Sequence, residues 1–486
     1  MSKNNGLAMN FSWSFIEKLL SQGASILISI ILARLLSPED YGVLAIVNVF
    51  IVLLNVFVTS GMGVALVQDQ NVDDVTICTD FYLSILVGVL LYIVLYFSAP
   101  IIAVYYAIPQ LTSVIRVLGL KIPVSSIYSI QHATLTKNME FQKLVVPTVL
   151  STIGSGVLGI VTAYAGWGVW ALVTQALMSQ ILIVCFLAVV IQWKPKLQFS
   201  IEKAKQHFYF SSRVVAATLI NTFVGQLYTL TIGKTYSGTD AAYYNNGIMY
   251  PQKIIGIIES SVNSVAFPAI ANVKDSCDHV KEIMKNTIQH ISFIIVPMMI
   301  GMALCGEHII RVFLTEKWLP SVPYLQIVCL TFVFMPMNGI NYEAVKAIGK
   351  GDLFLHIQLI KTIINVSALF IALPYGMLAI AWSGFITGFA TIVLNAYPTG
   401  KYYDYGVFRQ LKDLFPACMY CIPMVLTLSW MNFYLDYSSL VMLLIEVPVG
   451  AILYFAMAWI FKSKSMYFVI FKANELFQRK RNNEKI

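Results

Sequence analysis

Charge is scarce in this sequence, and that scarcity excludes most soluble folds. Only 12% of the 486 residues are Asp, Glu, Lys or Arg, while 58% are hydrophobic; soluble domains carry about 25% charged residues. No stretch is long and polar enough for a separate water-soluble domain. The mean hydropathy of +0.75 places most of the chain in hydrocarbon. A net charge of +8 would suggest nucleic acid in a soluble protein. Here the position of the cations matters more than their sum, and no nucleic-acid partner is expected.

Cysteine offers no redox framework. Cys78, Cys185, Cys277, Cys305 and Cys329 are scattered, and Cys418 and Cys421 form a CxxC inside an apolar run without the second ligand pair that a metal site needs. The six His residues lack metal spacing. Gly233–Lys234–Thr235 resembles the end of a phosphate-binding loop, but that motif needs a Gly where this chain has Tyr228. No ATPase motif and no cofactor signature is present. The first apolar stretch lacks a cleavage pattern and reads as a permanent span.

What the chain does have is apolar runs of spanning length, about 20 residues each. Fourteen segments are expected, from 12–36 and 41–67 through 241–270 to 410–432 and 437–461. The fourth (111–135) and eighth (241–270) are weakest, being interrupted by Arg116, Lys121 and Lys253. With the N-terminus inside, inward loops and tails hold 22 of the 32 Lys and Arg, whereas outward loops hold only Arg34, Lys234, Arg311 and Lys317. That bias follows the positive-inside rule and predicts cytoplasmic termini. The inward loop near 68–75 is an exception, carrying Asp69, Asp73 and Asp74.

A weak internal repeat recurs at an offset of about 200 residues, of the kind from which transporters are often built. ILARLLSPEDY at 31–41 aligns with TIGKTYSGTDA at 231–241, matching Arg34 with Lys234, Ser37 with Ser237 and Asp40 with Asp240. Two copies of six spans plus two more give fourteen. The expected division is a six-helix lobe over 1–200, a second over 201–405, two added helices over 406–461 and a basic cytoplasmic tail over 462–486.

Polar groups inside spans are costly and mark cavities or partners. Glu17, Lys18, Ser21, Gln22, Ser25 and Ser29, with Ser14, share one arc of the first span. Asn48, Asn55 and Thr59 share a face of the second; Arg213, Asn221 and Tyr228 a face of the seventh. Asn246, Tyr250, Lys253, Ser260, Ser261 and Ser264 share a face of the eighth. The first two spans of each half thus carry polar stripes, the pattern of a wet central cavity. Ser, Thr and Asn could instead join helices. A cation needs water, a partner or an anion, so Lys18, Arg213 and Lys253 are candidate anion ligands. Asn48, Asn55, Asn221 and Tyr250 are candidate cavity contacts, and Glu17 and Glu259 candidates for ion coupling.

The ordered set ARLLSPEDYGVLA (33–45), SGMGVALVQ (60–68), GWGVWALV (166–173), WKPKLQFS (193–200), TIGKTYSGTDAAYYNNG (231–247), FPAIANVKD (267–275), FLTEKWLP (313–320) and KAIGKGDL (346–353) resembles the polysaccharide flippases of the multidrug/oligosaccharidyl-lipid/polysaccharide exporter superfamily. The resemblance implies an all-α polytopic membrane protein of about fourteen helices, with two six-helix lobes in a V around a central cavity plus two C-terminal helices. It also implies a bacterial inner-membrane, non-enzymatic transporter of undecaprenyl-diphosphate-linked oligosaccharide. Membrane lipids, polysaccharide polymerase and glycosyltransferases are the implied partners. Related members carry an Asp in the seventh span where this chain has Tyr228. Other readings are a multidrug exporter or lipid II flippase of the same superfamily, or a membrane polysaccharide polymerase. A polymerase needs a large outward loop with catalytic groups, and the outward loops here are short.

Overall fold

A computed structural model describes residues 2–69, 72–191, 193–273, 276–348, 351–468 and 471. The side chains of 2–12, 14–16, 260–265, 267, 268 and 351 lie outside that description. Ser14, Ser260, Ser261 and Ser264 of the polar stripes therefore lie outside the described side chains, and the tail from Lys472 onward lies outside the described residues. Among the described residues every regular element is a helix.

The chain divides into two compact units, Met1–Asn245 and Asn246–Ile486. The first holds α1 (Ser2–Leu35), α2 (Pro38–Thr59), α3 (Met62–Gln68), α4 (Asp74–Tyr106), α5 (Leu111–Leu118), α6 (Lys121–Lys137), α7 (Gln142–Tyr164), α8 (Val169–Val190), α9 (Ile201–Thr235) and the start of α10 (Gly238–Asn272). The second holds the rest of α10, α11 (Cys277–Leu304), α12 (Gly306–Phe313), α13 (Val322–Phe332), α14 (Met335–Ala347), α15 (Gly351–Ala372), α16 (Met377–Tyr403), α17 (Val407–Tyr434) and α18 (Ser439–Ile460). Short 3-10 turns at Glu316–Ser321 and Leu373–Tyr375 precede α13 and α16.

Among the described residues, twelve helical segments are long and apolar enough to cross a membrane. A thirteenth is added when Glu316–Phe332 and Met335–Ala347, bent by 49°, count as one span. The eighth expected segment falls on α10, a 35-residue helix. The weak fourth segment is α5 followed by α6. At the end of α5, Arg116 Nε donates to the Tyr96 carbonyl at 3.4 Å, and its guanidinium lies 4.3 Å over the Tyr96 ring.

The first unit packs around a core of Val43, Ile46, Val47, Leu111, Val114, Ile115, Leu118 and Val169, all buried. A second cluster, Ile28, Leu32, Leu36, Ala163, Ala171 and Leu172, seats α1 on α7 and α8. In the second unit Ile270, Val280, Met284, Ile288, Met337, Ile340 and Leu414 join α10, α11, α14 and α17.

The repeated turn has a local cause. Ser37 caps α2 by accepting from the Asp40 amide at 3.2 Å, while the Asp40 carboxylate accepts from the Ser37 amide at 3.1 Å. Ser237 and Asp240 make a related cap at α10, the Asp240 amide donating to Ser237 Oγ at 3.0 Å and that hydroxyl donating to the Asp240 carboxylate at 2.7 Å. Such reciprocal caps satisfy the first amides of a helix and fix where it begins.

The two turns meet. A Cβ added to Gly42 would lie 2.4 Å from the Gly238 carbonyl carbon, whereas a Cβ added to Gly238 would find its nearest atom at 3.5 Å. Gly42→Ala is therefore expected to force α2 from the start of α10 and to lower stability by about 1–3 kcal/mol, the usual cost of overpacking. Gly238→Ala is expected to be tolerated. Thermal unfolding of the two purified variants in detergent checks the asymmetry; equal midpoints would contradict it.

Candidate functional site

In the first unit the candidate residues of α1 lie beside α7. Glu17 accepts from the Thr148 side chain and stands next to Lys18, whose side chain is exposed. Gln22 is exposed as well, and Ser21, Ser25 and Ser29 are half-buried. The apolar face opposite carries Leu20 and Leu27, also exposed. On α2, Asn48 and Asn55 are half-buried. The Asn55 amide oxygen is enclosed and has no hydrogen-bond partner among the described residues. Leaving such a group unsatisfied costs about 1–3 kcal/mol, so a purely packing role explains it poorly.

On α9, Arg213 is exposed, with its guanidinium 4.4 Å over the Tyr209 ring and Nη2 donating to the Tyr209 hydroxyl. Tyr209 precedes Arg213 by one helical turn, so the ring holds the cation without neutralising it. Asn221 is exposed on the same helix. Tyr228 stacks parallel on Tyr244 with ring centroids 6.3 Å apart. In the second unit Tyr250 and Lys253 are half-buried on α10, and Glu259 is exposed within electrostatic reach of Glu343. No ion pair joins Lys18 or Arg213 to another candidate among the described residues.

Several chemically loaded groups were not singled out from sequence. At the end of the first unit that charge assigns inward, His207 lies between two carboxylates. Its Nδ1 is 2.8 Å from Asp80 and its Nε2 3.4 Å from Asp69, with Asp80 fully buried. Around this core, Lys203 pairs with Asp73 at 2.5 Å and Lys196 with Asp74 at 2.6 Å. The acidic loop that breaks the positive-inside pattern is thus matched by cations from the 193–207 connection. Lys203 and the Thr76 hydroxyl hold the Asp73 carboxyl well below the usual carboxylate range, and Asp74 lifts the Lys196 ammonium above its ordinary value.

In the second unit, Lys346 and Lys361 both face the Tyr342 ring, at 4.8 and 5.8 Å from its centroid. Lys346 pairs with buried Glu343 at 2.7 Å. Lys361 is buried on α15 within reach of Gln358. A satisfied amide network ties α14, α16 and α17 together: Asn341 and Gln410 exchange bonds of 2.7 and 2.8 Å, and Thr399 donates to Asn341 at 3.0 Å. These amides act as helix-to-helix joints.

The sequence profile described as "Polysaccharide biosynthesis protein" matches residues 31–323, more than half of the chain. The chain belongs to the polysaccharide biosynthesis protein family. This family member is 22% identical over 458 residues to the succinoglycan biosynthesis transport protein of Rhizobium meliloti (strain 1021), covering 92% of this chain and 91% of that protein. It is 25% identical over 334 residues to the teichuronic acid biosynthesis protein of Bacillus subtilis (strain 168), covering 68% and 69%. Its fold is similar to that of a solved lipid II flippase in an inward closed conformation, with a TM-score of 0.73 and 18% identity over 93% of this chain and 98% of that one. The chain is therefore a multi-span membrane protein whose described regular elements are all helices, with a fold similar to that of the solved flippase.

Proposed function

We propose that this polysaccharide biosynthesis protein is a flippase, not an enzyme. It carries undecaprenyl-diphosphate-linked oligosaccharide from the cytoplasmic to the periplasmic leaflet of the bacterial inner membrane by alternating access, for lipopolysaccharide or exopolysaccharide synthesis. The observation that carries this reading is the family match over residues 31–323. A relative matched along nine-tenths of the chain is itself named a biosynthesis transport protein.

The substrate combines an apolar tail, a doubly charged junction and a polar glycan. The tail stays in the bilayer. Lys18, Arg213 and Lys253 supply charge-assisted hydrogen bonds to phosphate oxygens. Asn48, Asn55, Asn221 and Tyr250 contact the sugars. Glycosyltransferases make the substrate and a polymerase consumes it. Expression in a flippase-null strain tests the reading: restored surface polysaccharide supports it, and an abundant, membrane-inserted protein that restores none overturns it.

Both termini are placed in the cytoplasm. Reporter fusions at Asp40, Gly166 and Lys317 are expected to report the periplasm, and fusions at Lys196, Lys350 and Arg479 the cytoplasm. A periplasmic report from Arg479 would refute the fourteen-span topology.

A further inference from the structure

At the end of the second unit that charge assigns outward, α12, α13 and the facing ends of α17 and α18 frame an open cleft of about 710 Å3. Small-ligand sites run from about 300 to 1,000 Å3. The sequence sets up its walls. α12 buries Gly306 and Ile310 and so turns Glu307, His308 and Arg311 to the cleft. Gln326 of α13 forms a second wall, and Asn432 and Phe433 near the end of α17 a third. The short link 435–438 between α17 and α18 closes the rim with Asp436, Tyr437 and Ser438.

Part of this lining is fixed within the protein. Arg311 bonds Glu307 at 3.0 Å and Glu316 at 2.8 Å, so its charge is already matched. Asn432 Nδ2 donates to the Leu304 carbonyl at 3.2 Å, and its oxygen lies 3.0 Å from His308 Nε2. Gln326 Nε2 donates to the Ala303 carbonyl at 3.2 Å, and its amide oxygen is unbonded among the described residues. The rest of the lining is open to a ligand. The side chains of Asp436, Tyr437, Ser438 and Ser439 form no hydrogen bond or ion pair among the described residues, and Ser438 precedes α18 without capping it. Glu307 and Asp436 face the cleft against Arg311 alone, an acidic balance that disfavours phosphates and other anions.

Two exposed rings complete the lining, Phe433 at 81% and Tyr437 at 58%. Aromatic residues collect at membrane interfaces. Trp430 and Tyr434 fit that role, packing on each other with centroids 5.6 Å apart and lining no part of the cleft. Phe433 and Tyr437 are placed differently, beside hydroxyls, an amide and a carboxylate. A pyranose has the matching shape: C–H bonds on a ring face and hydroxyls around the edge, each able to donate and accept.

We propose that this cleft is a glycan-binding site that takes an uncharged pyranose of the oligosaccharide on the outward side. Asp436 and the Gln326 oxygen accept from sugar hydroxyls; Tyr437, Ser438 and Ser439 both donate and accept. The rings of Phe433 and Tyr437 cover C–H faces. None of the candidate residues on α1, α2, α9 and α10 lines the cleft, so it is a second site. It holds the glycan at the face where a glycosyl-transfer reaction consumes it. The source of the sugar rests on the flippase reading; the chemistry of the cleft does not.

Saturation-transfer NMR on the full-length protein in phospholipid nanodiscs tests it. The probes are the methyl glycosides of glucose, galactose, N-acetylglucosamine and rhamnose. Wild type should transfer saturation to the C–H protons of at least one. Asp436→Ala should weaken that binding about tenfold, as expected when a hydrogen bond to a charged group is lost. Phe433→Ala should weaken it several-fold, and Trp430→Ala should leave it unchanged. These side chains are exposed, and unchanged unfolding midpoints check that the variants fold. Methyl glucuronide should bind several-fold more weakly than methyl glucoside. Four results overturn the site: no transfer to any probe, transfer that persists in both cleft variants, transfer lost in Asn221→Ala but kept in the cleft variants, or a preference for the glucuronide. Cleft binding by an abundant protein that restores no polysaccharide in the flippase-null strain leaves the site standing and refutes the flippase reading. Restored polysaccharide without cleft binding does the reverse.

Discussion

Arg213→Ala and Lys253→Ala are each expected to abolish polysaccharide export while leaving the protein inserted and abundant. A lipid-linked diphosphate carries its charge through a low-dielectric layer, where an unmatched charge costs several kcal/mol. Removing one fixed cation restores much of that barrier, and about 1.4 kcal/mol is already a factor of ten in rate. The surroundings of Arg213 explain why folding should survive. The side chain is exposed, forms no salt bridge among the described residues and rests on Tyr209 of its own helix. Losing that contact costs about 0.5–1 kcal/mol at an exposed site. Arg213→Lys keeps the charge but loses the planar fork, so partial activity is expected. Membrane abundance measured beside complementation of a flippase-null strain separates a binding role from a structural one. Full complementation by both alanine variants at normal abundance would remove them from the site.

Much of this architecture is legible in the sequence because a membrane imposes simple rules. Long apolar runs had to be helices, since no other segment satisfies its own backbone in lipid. The Ser37–Asp40 and Ser237–Asp240 pairs were visible as a repeat because a capping box is local chemistry, spaced by three residues. The exposed faces of Lys18 and Arg213 follow from helical periodicity. What stayed hidden depends on contacts distant in sequence. Asp80 reads as one acid in an apolar run, and His207 as a histidine without metal spacing. Only the fold brings together residues separated by 127 positions. The acidic 69–74 loop looked like an exception to charge bias because the rule counts cations by loop and is blind to the lysines of another loop pairing across to it. The break between α2 and α3 falls inside a continuous apolar segment marked only by small residues such as Gly61, and that between α5 and α6 is marked by Gly119 and Lys121, which read as a weak span and not as a break.

His207→Ala is expected to cost about 3–5 kcal/mol of stability, the usual penalty for removing one partner of a buried ion pair. The geometry leaves Asp80 little alternative. Its side chain is fully buried, Oδ2 is held by His207 at 2.8 Å, and Oδ1 has no partner among the described residues. An imidazole can donate to Asp80 and Asp69 together only when both of its nitrogens carry protons, so the two acids and the ring form one unit. That unit clamps the start of α9 to the start of α4 and the end of α3, beside the Lys203–Asp73 and Lys196–Asp74 pairs. The latter are exposed and contribute far less. Asp80→Ala should destabilise by a similar amount, but the double variant Asp80→Leu/His207→Leu should recover most of the loss, because apolar groups of similar size need no compensation there. Asp69 is a quarter exposed and can turn to water once the ring is gone. Thermal unfolding of wild type, Asp80→Leu, His207→Leu and the double Leu variant in one detergent gives the coupling directly. If the double variant is as unstable as the sum of the single ones, the cluster is not an interacting unit and the clamp is an incorrect description. If His207→Ala unfolds at the wild-type midpoint, the buried pair contributes nothing to holding α9 in place.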